Sequence, residues 1–205
     1  MKTAISIWIL ILLIALPVSA ADKPMDVLKE PIERGLEVLR DPAFQDEAQK
    51  ETQRDRMWEI ISSVFDFEEV SKRAVARSWR DFTPEQKREF TLVFSKLLGN
   101  TYIGKLQGEY SDETVAYLGE DLVSDRKAVV KTNILRRTTK IPVDYSMILR
   151  NGRWWVYDVH VEGVSLVLNY RSQFRKLLTN ESPAELIERL KHKVEDQAAN
   201  SAAAE

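Results

Sequence analysis

Asp158 and His160 stand two residues apart in Trp155-Val156-Tyr157-Asp158-Val159-His160, so on an extended chain their side chains share one face. An aspartate beside a histidine is the arrangement of a general base. A reaction built on that base would need companions, and the sequence supplies few. The other histidine, His192, is flanked by Lys191 and Lys193 on what reads as a solvent-facing helix. Two distant histidines and no cysteine make a poor metal site. The absence of cysteine also excludes a thiol nucleophile and a disulfide framework. No glycine-rich phosphate loop, nucleophile elbow or HExxH pattern occurs. The nearest thing to a charged site is Arg171, one turn into the next helix, which reads as a structural salt bridge to Asp158. The expectation is therefore no catalytic and no metal-binding residue and no enzyme, with Asp158 and His160 forming a polar pair near a strand end.

The elements that position these residues begin after a removable segment. Lys2 gives a short positive start, residues 4–16 are apolar apart from Ser6, Pro17 breaks the run, and Val18-Ser19-Ala20 are small. This is the layout of a secretory signal peptide over residues 1–20, cleaved after Ala20 or Ala21. The apolar run is shorter than the ~20 residues that span a bilayer. A net charge of −2 gives no reason to expect nucleic acid or a strongly anionic membrane surface as partner.

The remaining chain, 21–196, reads as one domain: a helical part over 25–108, strands over 114–161 and closing helices over 164–196. Residues 197–205 are small and polar and are expected to be disordered. Val27, Leu28, Ile32, Leu36 and Leu39 recur at helical spacing. A second helix is expected over 46–64, and Asp66 can cap a third over 67–77. Thr83-Pro84-Glu85-Gln86 is a capping box with proline at the first helical position. It opens a helix to about residue 106, with Phe90, Val93, Phe94, Leu97, Leu98 and Tyr102 on one broad face. Gly99, Gly104 and Gly108 interrupt it, each at a cost of roughly 1 kcal/mol relative to alanine.

From Thr114 the apolar period changes to two, and four strands follow, joined by short turns into an antiparallel meander. Asn151-Gly152 predicts a two-residue hairpin of type I′. Its register sets Leu149 opposite Trp154, Met147 opposite Val156, Tyr145 opposite Asp158 and Val143 opposite His160. Ile148, Trp155 and Tyr157 fall on the other face. Both faces are thus largely apolar, and such a sheet must be covered twice or line a cavity. Glu162-Gly163 turns the chain into a helix to about residue 178. Ser182-Pro183-Ala184-Glu185 opens another to about residue 195. The fold class is α+β.

A cavity between the long helix and one sheet face would suit an apolar ligand. Its expected walls are Tyr145, Met147, Leu149, Trp154 and Val156 from the hairpin, Leu97, Leu98, Tyr102 and Leu106 from the long helix, and Val164, Val167 and Leu168 after the sheet. Val164 is the foremost of these because it sits where strand passes to helix.

Three stretches carry a family resemblance. They are Arg77-Ser78-Trp79-Arg80-Asp81-Phe82-Thr83-Pro84-Glu85-Gln86, Ile141-Pro142-Val143-Asp144-Tyr145, and Trp155-Val156-Tyr157-Asp158-Val159-His160-Val161-Glu162-Gly163-Val164-Ser165 with Asn169-Tyr170-Arg171-Ser172-Gln173-Phe174 beyond. In order and spacing they resemble the MlaC family, the periplasmic phospholipid-binding components of an ABC transport system concerned with outer-membrane lipid asymmetry and toluene tolerance. Val75-Ala76-Arg77 departs from the Ala-Leu-Gly of many relatives. The resemblance implies a nuclear-transport-factor-like antiparallel sheet packed with a helical subdomain, and an apolar pocket holding phospholipid as cargo, with no cofactor. It also implies a soluble periplasmic carrier. Its partners would be an outer-membrane lipoprotein–porin complex and an inner-membrane complex of MCE-domain, permease and ATPase. The competing readings are an enzyme on such a sheet using Asp158 and His160, and a periplasmic adaptor or chaperone with a dry core.

Overall fold

Side-chain caps mark where four of the six described α-helices begin. The computed structural model describes residues 22–44 and 46–202. The expected signal peptide lies outside the described residues. Helix α1 (Pro24–Arg40) starts with proline in its first turn and stops just before Pro42. Two single 3-10 turns, at 42–44 and 47–49, precede α2 (Lys50–Ser62), which is shorter than expected at both ends. Asp66 accepts the Glu69 amide at 2.9 Å and opens α3 (Phe67–Val75). Helix α4 (Pro84–Glu109) carries the capping box in both directions: the Gln86 amide donates to Thr83 Oγ1 at 3.2 Å, and the Thr83 amide to Gln86 Oε1 at 2.9 Å.

The glycines of α4 divide into two kinds. A Cβ on Gly99 would lie 2.8 Å from the Trp58 ring, which stacks on Phe67 at 5.2 Å. Gly99 therefore admits a close approach of α2. A Cβ on Gly104 or Gly108 would meet nothing within 4 Å.

The sheet runs in sequence order, all antiparallel: β1 (Thr114–Ser124), β2 (Lys127–Arg136), β3 (Thr139–Arg150), β4 (Arg153–Val161) and β5 (Val164–Ser165). The fifth strand is an addition to the four expected. It arises because Glu162 and Gly163 both take positive φ, 51° and 79°, as do Asn151 and Gly152 at 52° and 77°. Each pair is a type I′ loop, so the chain folds back and pairs Val161 with Val164 before helix begins.

The β3–β4 register is as expected only near the turn. Leu149 pairs with Trp154 and Met147 with Val156, but Ser146 then pairs with Asp158, Tyr145 with Val159, Asp144 with His160 and Val143 with Val161. Tyr157 is a bulge residue, and from there on the faces of β4 exchange. The expected pairs Tyr145–Asp158 and Val143–His160 are thereby corrected. Asp158 lies on the side opposite Val156, where it meets α5 (Leu166–Leu177). There Ser165 Oγ donates to Asp158 Oδ2 at 2.5 Å and the Val167 amide to Oδ1 at 3.0 Å, while Ser165 Oγ accepts the Leu168 amide at 2.9 Å. Asp158 thus supports the N-cap of α5 with a charge at the positive end of the helix.

Two apolar cores result. One is helical: Val70 and Ala74 of α3, Phe90, Phe94 and Leu97 of α4, Val167, Tyr170 and Phe174 of α5, and Leu186, Ile187 and Leu190 of α6 (Pro183–Ala202). Phe94 meets Tyr170 and Phe174 edge-on at 5.0 and 5.1 Å. The other lies beneath α1, where Leu28 packs on Ala128, Val130, Met147, Trp154 and Val156. The chain at 64–66 joins them. The Val156 amide donates to the Val64 carbonyl at 2.8 Å and the Asp66 amide to the Val156 carbonyl at 2.9 Å, so this segment pairs with β4 along its outer edge. Arg150 adds contacts to Asp66 at 2.6 Å and Glu69 at 3.2 Å.

Helix α6 extends past residue 195 to Ala202, into the stretch expected to be disordered. Gln197 anchors that extension by donating to Thr101 Oγ1 at 2.8 Å, and alanines favour helix. Among the described residues no helix is long and apolar enough to cross a membrane.

These contacts predict opposite signs for like substitutions. Gly99→Ala should lower stability by about 1–2 kcal/mol, overpacking against Trp58 outweighing the gain in helix propensity. Gly104→Ala should raise it by up to about 1 kcal/mol. Urea unfolding of the two variants checks both; equal shifts would refute the packing role of Gly99. Asp158→Ala should cost about 2–4 kcal/mol, because it orphans two donors to a charged acceptor. His160→Gln should cost about 1 kcal/mol or less in the same assay.

Candidate functional site

The sheet face beneath α1 continues past the end of its core. Along β3, Leu149, Met147, Tyr145, Val143 and Ile141 point the same way, and Ile141 pairs with Ile134 of β2, which pairs with Val115 of β1. Over that cross-strand row the covering helices do not close. A cavity of about 270 Å³ remains, walled by Leu36 and Leu39 of α1, Tyr102 and Leu106 of α4, and Val115, Ile134 and Ile141 of the sheet. Leu36 and Leu39 lie one turn apart on α1. Tyr102 and Leu106 lie one turn apart on α4, on the flank facing the sheet. Burial pushes the Tyr102 phenol above its ordinary range, and pushes Tyr145, farther along the same face, up to about 12.

The walls are carbon and the rim is charged. Lys105, Glu109, Glu113 and Arg136 stand around the opening with Tyr110. Arg136 pairs with Glu113 at 3.0 Å and donates to the Glu109 carbonyl at 2.8 Å. Arg40, at the end of α1, donates to the Tyr110 hydroxyl at 2.8 Å and the Glu113 carbonyl at 2.9 Å. The bond to Tyr110 holds the Arg40 guanidinium still more firmly protonated. Buried Gln53 fixes the helices behind the cavity: its amide donates to the Val38 carbonyl at 3.0 Å and its oxygen accepts Gln107 at 3.0 Å. A second hollow of about 380 Å³ near the start of α1 is lined by Asp22, Asp26, Glu30 and Arg153 beside Trp154, a polar surface unsuited to hydrocarbon.

Of the twelve residues the sequence nominated, the structure brings only Tyr102 and Leu106 to this cavity. Leu97, Leu98 and Val167 are buried in the helical core. Met147, Trp154 and Val156 are buried under α1, with Tyr145 and Leu149 packed beside them. Val164 is 65% exposed on β5 and Leu168 54% exposed on α5. The nominated face is the one that bears the cavity, but the nominated stretch of it is filled. The expectation laid α4 over the hairpin; α1 occupies that place, and α4 approaches the sheet only at the far end. Leu36, Leu39 and Ile141 were visible as periodic apolar residues. Their convergence with Val115 and Ile134 depends on the β1–β2–β3 register, which no turn motif announces.

The polar candidates also separate. His160 Nε2 is 3.7 Å from Asp158 Oδ2, beyond hydrogen-bond length, and both aspartate oxygens are engaged at the start of α5. Arg171 does not pair with Asp158; its Nε donates to the Arg73 carbonyl at 2.8 Å. His192 faces Glu195 on the exposed side of α6. Among the described residues no three acidic, histidine or cysteine side chains come together as a metal site would require.

The chain and its fold have known counterparts. The chain is 26% identical over 170 residues, 81% of its own length and 79% of the relative's, to the toluene tolerance protein ttg2D of Pseudomonas putida. Its fold matches that of the phospholipid-binding protein of Ralstonia solanacearum, solved in complex with a phospholipid. The TM-score is 0.75 with 24% identity, and the match covers 86% of this chain and 99% of the other. The family described as MlaC protein matches residues 29–192, which hold every wall of the cavity, and the chain belongs to that family.

Proposed function

We propose that this protein binds phospholipid and carries it through an aqueous compartment, with acyl chain seated among α1, α4 and the β1–β3 end of the sheet. The observation that carries the reading is the convergence of Leu36, Leu39, Tyr102, Leu106, Val115, Ile134 and Ile141 on one open cavity with a charged rim. Family membership and the phospholipid held by the Ralstonia solanacearum protein support it.

The physical case is one of solvation. A diacyl lipid has some thirty methylenes, each worth ~0.8 kcal/mol when removed from water. A carrier must cover them and release them again, which needs an apolar cavity and no bond chemistry. At about 270 Å³ the cavity lies just below the ~300–1,000 Å³ usual for ligand sites. Two acyl chains therefore require it to widen. Helix α1 is tied to the sheet by the Met25 amide donating to Glu120 at 2.7 Å and by Tyr117 donating to Glu33 at 3.0 Å.

The signal peptide expected over residues 1–20 supports a periplasmic location for the carrier. On this reading it shuttles between an outer-membrane lipoprotein–porin complex and an inner-membrane complex of MCE-domain, permease and ATPase.

Gently purified protein should yield about one phospholipid per chain on solvent extraction and mass spectrometry. An extract without lipid, and no uptake from liposomes afterwards, would refute the reading. Ile134→Glu sets an unpaired carboxylate against the acyl chains, at an effective cost of several kcal/mol. The lipid load should fall more than tenfold while the circular dichroism spectrum stays that of the wild type. A folded variant with a full load would show that the chains lie elsewhere.

A further inference from the structure

The charges at the cavity rim are not equally committed. Arg136 is held by Glu113 and the Glu109 carbonyl, and Arg40 by Tyr110 and the Glu113 carbonyl. Lys105 differs. It lines the opening, yet it forms no ion pair among the described residues, and its ammonium lies 5.9 Å from the centre of the Tyr102 ring. Glu109 stands one turn later on the same helix and does not take it, in keeping with the poorer geometry of a lysine placed N-terminal to a glutamate.

The position of Lys105 on α4 is as informative as its lack of an ion-pair partner. At about 100° per residue, Tyr102, Leu106 and Glu109 cluster on the flank that faces the cavity, and Lys105 stands at the margin of that flank. Its stem can lie along the apolar wall while the ammonium stays in water. Beyond it the helix surface is open, since nothing approaches Gly104 or Gly108 within 4 Å. A molecule whose tail fills the cavity would leave past this ammonium, and an anionic group a few ångströms from the tail would meet it there.

We propose that Lys105 is the residue that takes the phosphate of the bound lipid, so that the protein prefers phosphate-bearing diacyl lipids to neutral glycerolipids with the same chains. The proposal rests on the reading that the cavity holds acyl chains. The contact is exposed, so its effect is a modest bias of about two- to fivefold, as for one ion pair near a surface. The bias should shrink as salt is raised.

The test uses delipidated mature protein offered vesicles with equal amounts of dioleoyl phosphatidylglycerol and dioleoylglycerol, and mass spectrometry of what is retained. Wild type should hold phosphatidylglycerol in two- to fivefold excess, K105R should keep that excess, and K105Q, with the circular dichroism spectrum of the wild type, should hold the two lipids in equal amounts because its phosphatidylglycerol load falls. Uptake of neither lipid by the wild type would overturn the carrier reading itself. Equal uptake of both by the wild type, or an undiminished excess in K105Q, would overturn the assignment of Lys105 while leaving that reading intact. A parallel titration with inorganic phosphate should show no binding. Phosphate binding lost in K105Q, together with equal uptake of the two lipids by the wild type, would assign the residue to the free anion and overturn the proposal.

Discussion

The pairing of residues 64–66 with the outer edge of β4 is the constraint on which the molecule's shape depends. Two backbone hydrogen bonds, 2.8 and 2.9 Å long, hold the helical core to the sheet at Val156. Arg150 reinforces them through Asp66 and Glu69. The joint lies near the β3–β4 turn, at one end of the sheet. It fixes where α3 begins, and through α3 the direction in which α4 leaves. At that end Leu28 of α1 packs on Met147, Trp154 and Val156. At the other end α4 reaches the sheet only through its last turns, where Arg136 donates to the Glu109 carbonyl, and the cavity lies between those turns, α1 and the sheet.

A cavity produced this way differs from a packing defect. Voids in a core are costly, by roughly 20 cal/mol per Å² of their surface, and are usually collapsed by relaxation of their surroundings. Here collapse is resisted on three sides. Gln53 holds α1, α2 and α4 in mutual position by hydrogen bonds to Val38 and Gln107. The rim arginines hold the end of α1, the segment after α4 and β2 to one another through Tyr110 and Glu113. The cross-strand row Val115–Ile134–Ile141 is fixed by the sheet itself. Polar bonds around an apolar hollow keep it open, which a binding protein requires before its ligand arrives.

Much of the fold was legible because local chemistry determined it. The capping boxes at Thr83 and Ser182, the Asp66 cap and the Asn151-Gly152 turn acted where they stand, and the four strands begin within a residue of expectation. What escaped was non-local. The bulge at Tyr157 carries no glycine or proline to mark it, yet it reverses the faces of β4 and converts Asp158 from a candidate base into a helix cap. The two I′ loops have the same backbone form, but Asn-Gly announces itself more strongly than Glu-Gly, so in the sequence Val164 and Ser165 look like the start of a helix. The nominated residues and the cavity share one sheet face but not one stretch of it, because apolar periodicity shows that α1 and α4 each have a partner but not which. Only Tyr102 and Leu106 were common to both answers.

The central claim is that acyl chains lie between α1, α4 and the Ile134–Ile141 end of the sheet. Photocrosslinking tests it most directly. The purified protein would be loaded with a phospholipid bearing a diazirine in mid-chain, irradiated, digested and mapped by tandem mass spectrometry. The account predicts adducts in residues 31–40, 102–110 and 134–141. Adducts confined to the Val164–Leu168 surface, or to the opposite sheet face around Ile148 and Trp155, would contradict it.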